Sequence, residues 1–241
     1  MAVAVAAGGR NLRWSVHSEP LSISTSLMLN RQQYLVREKV GLLKLSDVYD
    51  ILDPDSKTKI GEAREEISRW VKYLRPLIGK NIMPTQIAVY AGAGPADEQL
   101  FFSMRRGSFM FFRAKVEIRD AQGQSLGWLK SKFGFFRSAF QVCSADGQEI
   151  ATVKGDWSGW NFRFLSGDTE LGIITKKWTG LGQELFTGAD NYLIRINGAP
   201  DPTINLLLLA AGLAVDTVLH EHKQFYVGFN QSECSSSRST A

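Results

Sequence analysis

The chain has 241 residues, 44% of them hydrophobic and 22% charged, with a net charge of +4 and a pI near 9.1. This balance excludes a disordered or collagen-like chain, and the length suits one large β domain or two small ones. The mild basicity favours anionic partners, and two cysteines, Cys143 and Cys234, make no disulfide framework and point to a reducing compartment.

The opening MAVAVAAGG has no basic n-region, Ala2 stands where myristoylation needs glycine, and no prenylation box ends the chain. The expected location is the cytoplasm or the cytoplasmic face of a membrane, without secretion. Residues 1–29 show no period and read as a flexible arm. From Arg31 the sequence turns strand-like. Tyr34-Leu35-Val36 and Val48 to Leu52 are rich in β-branched and aromatic residues, and Asp53-Pro54-Asp55 is a turn signal.

A repeated unit of strand, Asp/Gly turn and strand follows. Ile51-Leu52-Asp53 leads to Ile60–Ala63. Ile118 to Gln124 leads to Leu126–Leu129. Val142 to Gln148 leads to Ile150–Val153, and Phe164 to Glu170 leads to Leu171–Ile174. The last three second strands start 24 and 21 residues apart, a spacing that suits consecutive antiparallel hairpins of a barrel or sandwich. Between these units, Glu65 to Ile78 places Ile67, Trp70, Val71, Leu74 and Ile78 at helical spacing and predicts a short amphipathic helix. Ile87–Tyr90 is a strand, Ala91–Asp97 a loop, and Phe109–Ile118 an alternating strand.

Ile204 to His222 is apolar on every helical face, so a helix there must be enclosed by protein or by a bilayer. Its uninterrupted apolar run, Leu206 to Val215, ends at Asp216, short of the roughly 18–20 residues that cross a membrane. Protein is therefore the favoured enclosure. Asp201 and Pro202 precede this helix, and Asn205 is a candidate cap. A closed barrel of about twelve strands has a lumen too wide for its own side chains, and this helix would fill it. Leu206, Leu209, Gly212, Leu213 and Asp216 mark the helix, with Gly212 allowing close approach of the wall. The fold class is mainly β: a closed antiparallel barrel over residues 30–230 around the central helix 204–222, with a disordered Ser-rich tail at 231–241.

One stretch is strongly basic. From Ser103 to Arg137 the cations are Arg105, Arg106, Arg113, Lys115, Arg119, Lys130, Lys132 and Arg137, against Glu117 and Asp120, a net of +6. Phe101, Phe102, Phe109, Phe111, Phe112, Phe133, Phe135 and Phe136 are interleaved. Three readings stand: a solvated barrel wall with phenylalanines in the core, a surface for lipid head groups, and a single-strand nucleic-acid surface, the last being the weakest. Lys176 and Lys177 beside Trp178 form a second, smaller candidate. Trp157, Trp160, Phe162 and Phe164 read as packed within the barrel, Cys143 as a small core residue, and His220 and His222 as an exposed pair rather than a metal site. No phosphate-binding glycine loop, nucleophile elbow or zinc motif is present, and the expectation is a protein that is not an enzyme.

Residues 173–219 carry a resemblance. Ile174-Thr175-Lys176-Lys177-Trp178-Thr179-Gly180, then Glu184 to Tyr192, then the apolar helix, are similar to the phospholipid scramblase family, which is related to the tubby-like and plant LURP-one-like proteins. The hairpin ladder extends the similarity over roughly Leu29 to Phe229. The resemblance implies a closed β-barrel around a central helix and an association with anionic phospholipids or a membrane surface, with a protein partner as the other possibility. The arm lacks the proline-rich region and cysteine cluster of animal members. In those members a calcium-binding segment is proposed, and the matching tract here runs from Gly188 to Ala199. An oxygen-lined loop wants oxygen ligands at its first, third, fifth and twelfth positions, the last a bidentate acid. Counting from Gly188, only Asp190 fits, with Asn191 beside it, and the tract alternates like a strand. No cofactor is expected otherwise. Two functions remain open: a scramblase-like protein that moves phospholipids between leaflets, and a tubby-like module that binds anionic head groups or a protein without moving lipid. Oligomeric state is not legible.

Overall fold

A computed structural model describes residues 28–39, 47–66, 85–107, 115–131, 139–156, 160–176, 191–197 and 201–216. Twelve strands follow one another: β1 (Gln33–Glu38), β2 (Val48–Leu52), β3 (Lys59–Glu66), β4 (Thr85–Ala91), β5 (Gln99–Arg106), β6 (Lys115–Asp120), β7 (Ser125–Ser131), β8 (Ala139–Ser144), β9 (Glu149–Asp156), β10 (Asn161–Ser166), β11 (Thr169–Thr175) and β12 (Asn191–Ile196). Each pairs antiparallel with its sequence neighbours, and β12 returns to β1 to close the ring. Closure leaves no sheet edge with unpaired backbone groups. The helix α1 (Pro202–Ala214) follows β12.

Alternation sorts each strand into an inner and an outer face. Tyr34 and Val36 of β1 point inward opposite Ile194 and Tyr192 of β12, while Arg37 stays exposed on the outside. The inward set joins the helix in one core, with Ile51, Val89, Met104, Ile118, Leu129, Val142 and Phe164 among its wall members. Leu207 to Val215 are all buried, on every face of the helix. The helix touches β12 on one side and β7 and β8 across the ring, so it occupies the lumen.

Two glycines set this docking. A Cβ on Gly212 would lie 2.6–3.1 Å from Ile194 of β12, so the helix approaches that wall through a missing side chain. On the other side the wall supplies the gap: a Cβ on Gly127 of β7 would meet Leu207 at 3.0 Å and collide with the Cys143 carbonyl. Gly127 is thus the counterpart of Gly212 on the facing wall.

The two barrel ends differ. At one end short turns join β2–β3, β4–β5, β6–β7, β8–β9 and β10–β11. Gly123 and Gly147 hold φ of +83° and +90° there, which L side chains rarely adopt. Asp120 Oδ1 accepts from the Gln122 and Gln124 amides at 3.0 and 2.7 Å, and Asp53 Oδ1 from Asp55 and Ser56 at 2.9 and 2.8 Å. The connections at the opposite end, and the chain beyond Asp216, fall outside the described residues.

Several expectations need correction. The helix begins at Pro202 rather than Ile204. Asp201 is its cap, accepting from the Thr203 amide at 2.8 Å, while the Asn205 amide donates back to the Asp201 carbonyl. Regular helix ends at Ala214, Val215 and Asp216 follow in a wider turn, and residues 217–222 lie outside the description. Glu65 and Glu66, assigned to an amphipathic helix, end strand β3, because Glu65 pairs with Ile87 and Glu66 with Gln86. The rest of that helix, 67–78, is outside the description. Strand β5 went unread: Leu100-Phe101-Phe102 hides the alternation, and a register shift against Val89/Tyr90 accommodates it. The arm boundary at 29 falls inside the folded part. Met28 is fully buried, its carbonyl accepts from the Tyr34 hydroxyl at 2.7 Å, and its side chain lies against Gly61.

Candidate functional site

Five of the basic residues singled out in the sequence stand at the end opposite the short turns, while Arg119 lies beside the Asp120–Gln124 turn. Arg105 and Arg106 close β5, Lys115 opens β6, Lys130 nears the end of β7, and Lys176 follows β11. Arg113, Lys132, Arg137 and Lys177 lie outside the described residues, as do Asp190, His220, His222 and Trp157.

Strand pairing decides what these cations face. Lys115 and Lys130 are direct register partners on the outer wall. Like charges so placed repel, and among the described residues no carboxylate is paired with either. The Lys115 ammonium sits 3.2 Å over the Trp128 ring, whose electron-rich face attracts it. Arg105, exposed, pairs in register with Glu117, whose carboxylate accepts from Arg119 at 2.8 Å. Phe101 and Phe102 sit in the core rather than among these cations.

Arg106 behaves differently. Alternation turns it inward with Met104, and it is 3% exposed, its Nη2 donating to the Thr85 hydroxyl at 3.0 Å. It therefore does not share the outer surface with Arg105. Lys176 stands apart from the Lys115–Lys130 pair, with β8, β9 and β10 between, and its ammonium lies 4.2 Å over Trp160. Trp160, Phe162 and Phe164 are buried, as read from the sequence.

The ring also brings in cations that sequence reasoning missed. Lys154 on β9 and Arg163 on β10 are both exposed and are register partners of each other. Gln141 of β8 lies between Lys130 and Thr152, and Ala139 pairs with Lys154. An arc of four outward cations thus crosses β6 to β10: Lys115, Lys130, Lys154 and Arg163, with Arg163 3.6 Å from Glu170. Lys154 and Arg163 are isolated in sequence, so no local signal marks them.

A second charged cluster lies on the outer wall across β1–β3. Asp50 and Glu62 are register partners and both are buried. Lys39 reaches Asp50 at 3.0 Å and Glu62 at 2.8 Å, Arg37 and Lys59 reach Asp50 at 3.5 and 3.4 Å, and Lys59 and Arg64 also bond Glu62. Burial pushes the Glu62 carboxyl up, but hydrogen bonds from Lys39, Lys59 and Arg64 outweigh it and hold the group down to about 2. Both carboxylates are thus fully paired by cations.

The calcium tract does not fit an oxygen-lined loop. Asn191 opens β12, pairing with Arg37, and Tyr192, Ile194 and Ile196 of the same strand are in the core. Among the described residues no group of three or more acid, histidine or cysteine side chains could hold a metal ion.

The model of the family described as Scramblase matches residues 98–222, from the edge of β5 through β12 and α1. The chain belongs to the scramblase family. That match covers just over half of the sequence and includes the whole basic arc and the enclosed helix. The closed barrel with a helix inside it is the fold the resemblance implied for this scramblase-family chain and its tubby-like relatives. No curated protein and no solved structure matches the chain. Among the described residues no helix is long and apolar enough to cross a membrane, a statement that leaves strands aside.

Proposed function

We propose that this protein binds anionic phospholipid surfaces through the outer basic arc of Lys115, Lys130, Lys154 and Arg163, with Arg105 beside it, and that Arg113, Lys132, Arg137, Lys176 and Lys177, which are not assigned to the arc, also contribute to anion binding. The observation that carries this is the Lys115–Lys130 pair beside Trp128: two adjacent ammonium groups and an indole on one outward face. Two repelling cations gain when anions approach, and an indole suits the head-group layer. Each lysine or arginine near an anionic membrane contributes about 1 kcal/mol, so four in the arc supply on the order of 4 kcal/mol at low salt. The protein acts at the cytoplasmic face, and leaflet exchange of phospholipids is the further activity that family membership supports. No covalent step is involved.

The enclosed helix favours a second reading, a binding module that moves no lipid. A helix buried on every face inside the barrel cannot also span a bilayer, so exchange requires the barrel to open or the helix to leave. Flotation with liposomes separates the two. Neutral and anionic vesicles are compared at low and high salt, with calcium or chelator. Binding to anionic vesicles only, reversed by salt, supports the module. Salt-resistant flotation, followed by label exchange between leaflets, supports transport. A protein that never floats would rule out both lipid readings, leaving the protein-partner role. Lys115→Ala with Lys130→Ala should weaken anionic flotation about 30-fold, from about 2 kcal/mol lost.

A further inference from the structure

The five short hairpins share one irregularity. Each carries an extra residue on its second strand, close to the turn. The extra residues are Ile60, Phe101, Leu126, Ile150 and Leu171, and each packs against the core. Five large apolar side chains thus ring the short-turn end of the barrel. Helix α1 begins soon after Ile196, which ends β12 at that end and pairs with Gly172. Its 13 residues rise about 20 Å, close to the length of the strands around it. The N-terminus of α1 therefore sits at the short-turn end, and the run toward Asp216 heads for the other.

Charge divides along the same axis over β5 to β11. Two ion pairs bridge the halves, Arg119 with Glu117 and Arg163 with Glu170, and cancel. Among the other described residues the short-turn half carries Asp97, Glu98, Asp120, Asp146, Glu149 and Asp168 and no cation, a charge of −6. The opposite half carries Arg105, Arg106, Lys115, Lys130, Lys154 and Lys176 against Asp156 alone, a charge of +5. Asp97, Asp146, Glu149 and Asp168 are exposed, as are Arg105, Lys115 and Lys154, so both ends present their charge to solvent. An anionic surface attracts one end and repels the other. The ends lie about 15–20 Å apart, since strands of this length rise about 3.3 Å per residue and tilt in a closed ring. That is roughly two Debye lengths at physiological salt. A membrane at the basic end therefore hardly acts on the acidic end, whereas docking on the side wall or upside down brings the acids within its reach.

We infer that the barrel stands on anionic bilayers with its basic end toward the lipid, so that the C-terminal end of α1 faces the membrane and the ringed, acidic end faces solution. This rests on the lipid-binding reading above and adds its orientation. The test places one dye at a time on the full chain carrying Cys234→Ser. Gly107→Cys and Asn161→Cys mark the basic end, Gln122→Cys and Gln148→Cys the short turns, and all four positions are exposed. Cys143 is 3% exposed and stays unlabelled. Vesicles of equal parts phosphatidylserine and phosphatidylcholine carry a spin-labelled head group that quenches on contact, and flotation is scored on the same samples. Quenching at Gly107 and Asn161 is expected to be at least about 3-fold stronger than at Gln122 and Gln148, because the axial separation exceeds the reach of contact quenching. Asp97→Lys with Asp168→Lys, both exposed, takes the short-turn end from −6 to −2 and should lower that difference at least about 2-fold while flotation is kept. Flotation with equal quenching at the four positions, or with stronger quenching at the turns, overturns the orientation and leaves lipid binding standing. So does a difference that the two lysine substitutions leave unchanged. A wild-type chain that never floats removes lipid binding itself, and the orientation with it.

Discussion

Replacing Glu62 with glutamine tests whether the outer-wall ion network stabilises the barrel. Glu62 is 5% exposed and is held by Lys39 at 2.8 Å, by Lys59 and by Arg64. Its carboxyl lies at about 2 in the folded protein, against 4.5 for the ordinary group. A depressed carboxyl adds stability above the unfolded value of 4.5, and that stability is lost as pH falls toward 2. The whole interval is worth at most about 3 kcal/mol. The Lys39 side chain is 47% exposed, so solvent screening reduces this to about 2 kcal/mol. Glu62→Gln should therefore cost about 2 kcal/mol at pH 7, a fall of roughly 4–8 °C in Tm for a chain of this size. Urea unfolding of both proteins at pH 7, 4 and 3 measures it, and the deficit should shrink as acid protonates the wild-type carboxyl in the unfolded chain while the folded one stays ionised. Equal stabilities at pH 7, or a deficit that stays constant down to pH 3, would refute the reasoning.

Other outcomes follow from the packing. Gly127→Val should abolish folding or cost more than about 3 kcal/mol, since its side chain meets the Cys143 carbonyl and Leu207; circular dichroism and thermal melts check this. Asp201→Ala removes the helix cap and should cost about 1 kcal/mol in chemical denaturation. Tyr192→Phe should raise stability by about 1 kcal/mol in thermal melts, because it removes a buried hydroxyl that has no partner. Cys143 is 3% exposed, so its thiol should react with a thiol reagent only after denaturation, followed by mass spectrometry in native buffer and in urea.

The parts of this protein that were legible in the sequence are those with local causes. Alternation along Lys115–Ile118 and Gly172–Ile174 follows from the two-residue period of a strand. The Asp/Gly turns at Asp120–Gly123 and Asp146–Gly147 follow from side-chain acceptors and positive φ. The helix announced itself because an apolar run without a polar face must be enclosed. Tertiary structure decided what local pattern cannot carry. Whether Arg105 or Arg106 faces solvent depends on the register of β5 against β4, where a shift at Val89/Tyr90 intervenes. Lys115 meets Lys130 only through pairing of β6 with β7, and joins Lys154 and Arg163 only through ring order. The contact of Trp160 with Tyr192 inside the barrel is further from any local signal, since the two rings come from opposite sides of β11. A sequence determines which face each residue prefers within its own strand. Closing twelve strands around a helix determines which of those faces meet, because a shift of one residue in register reverses inside and outside.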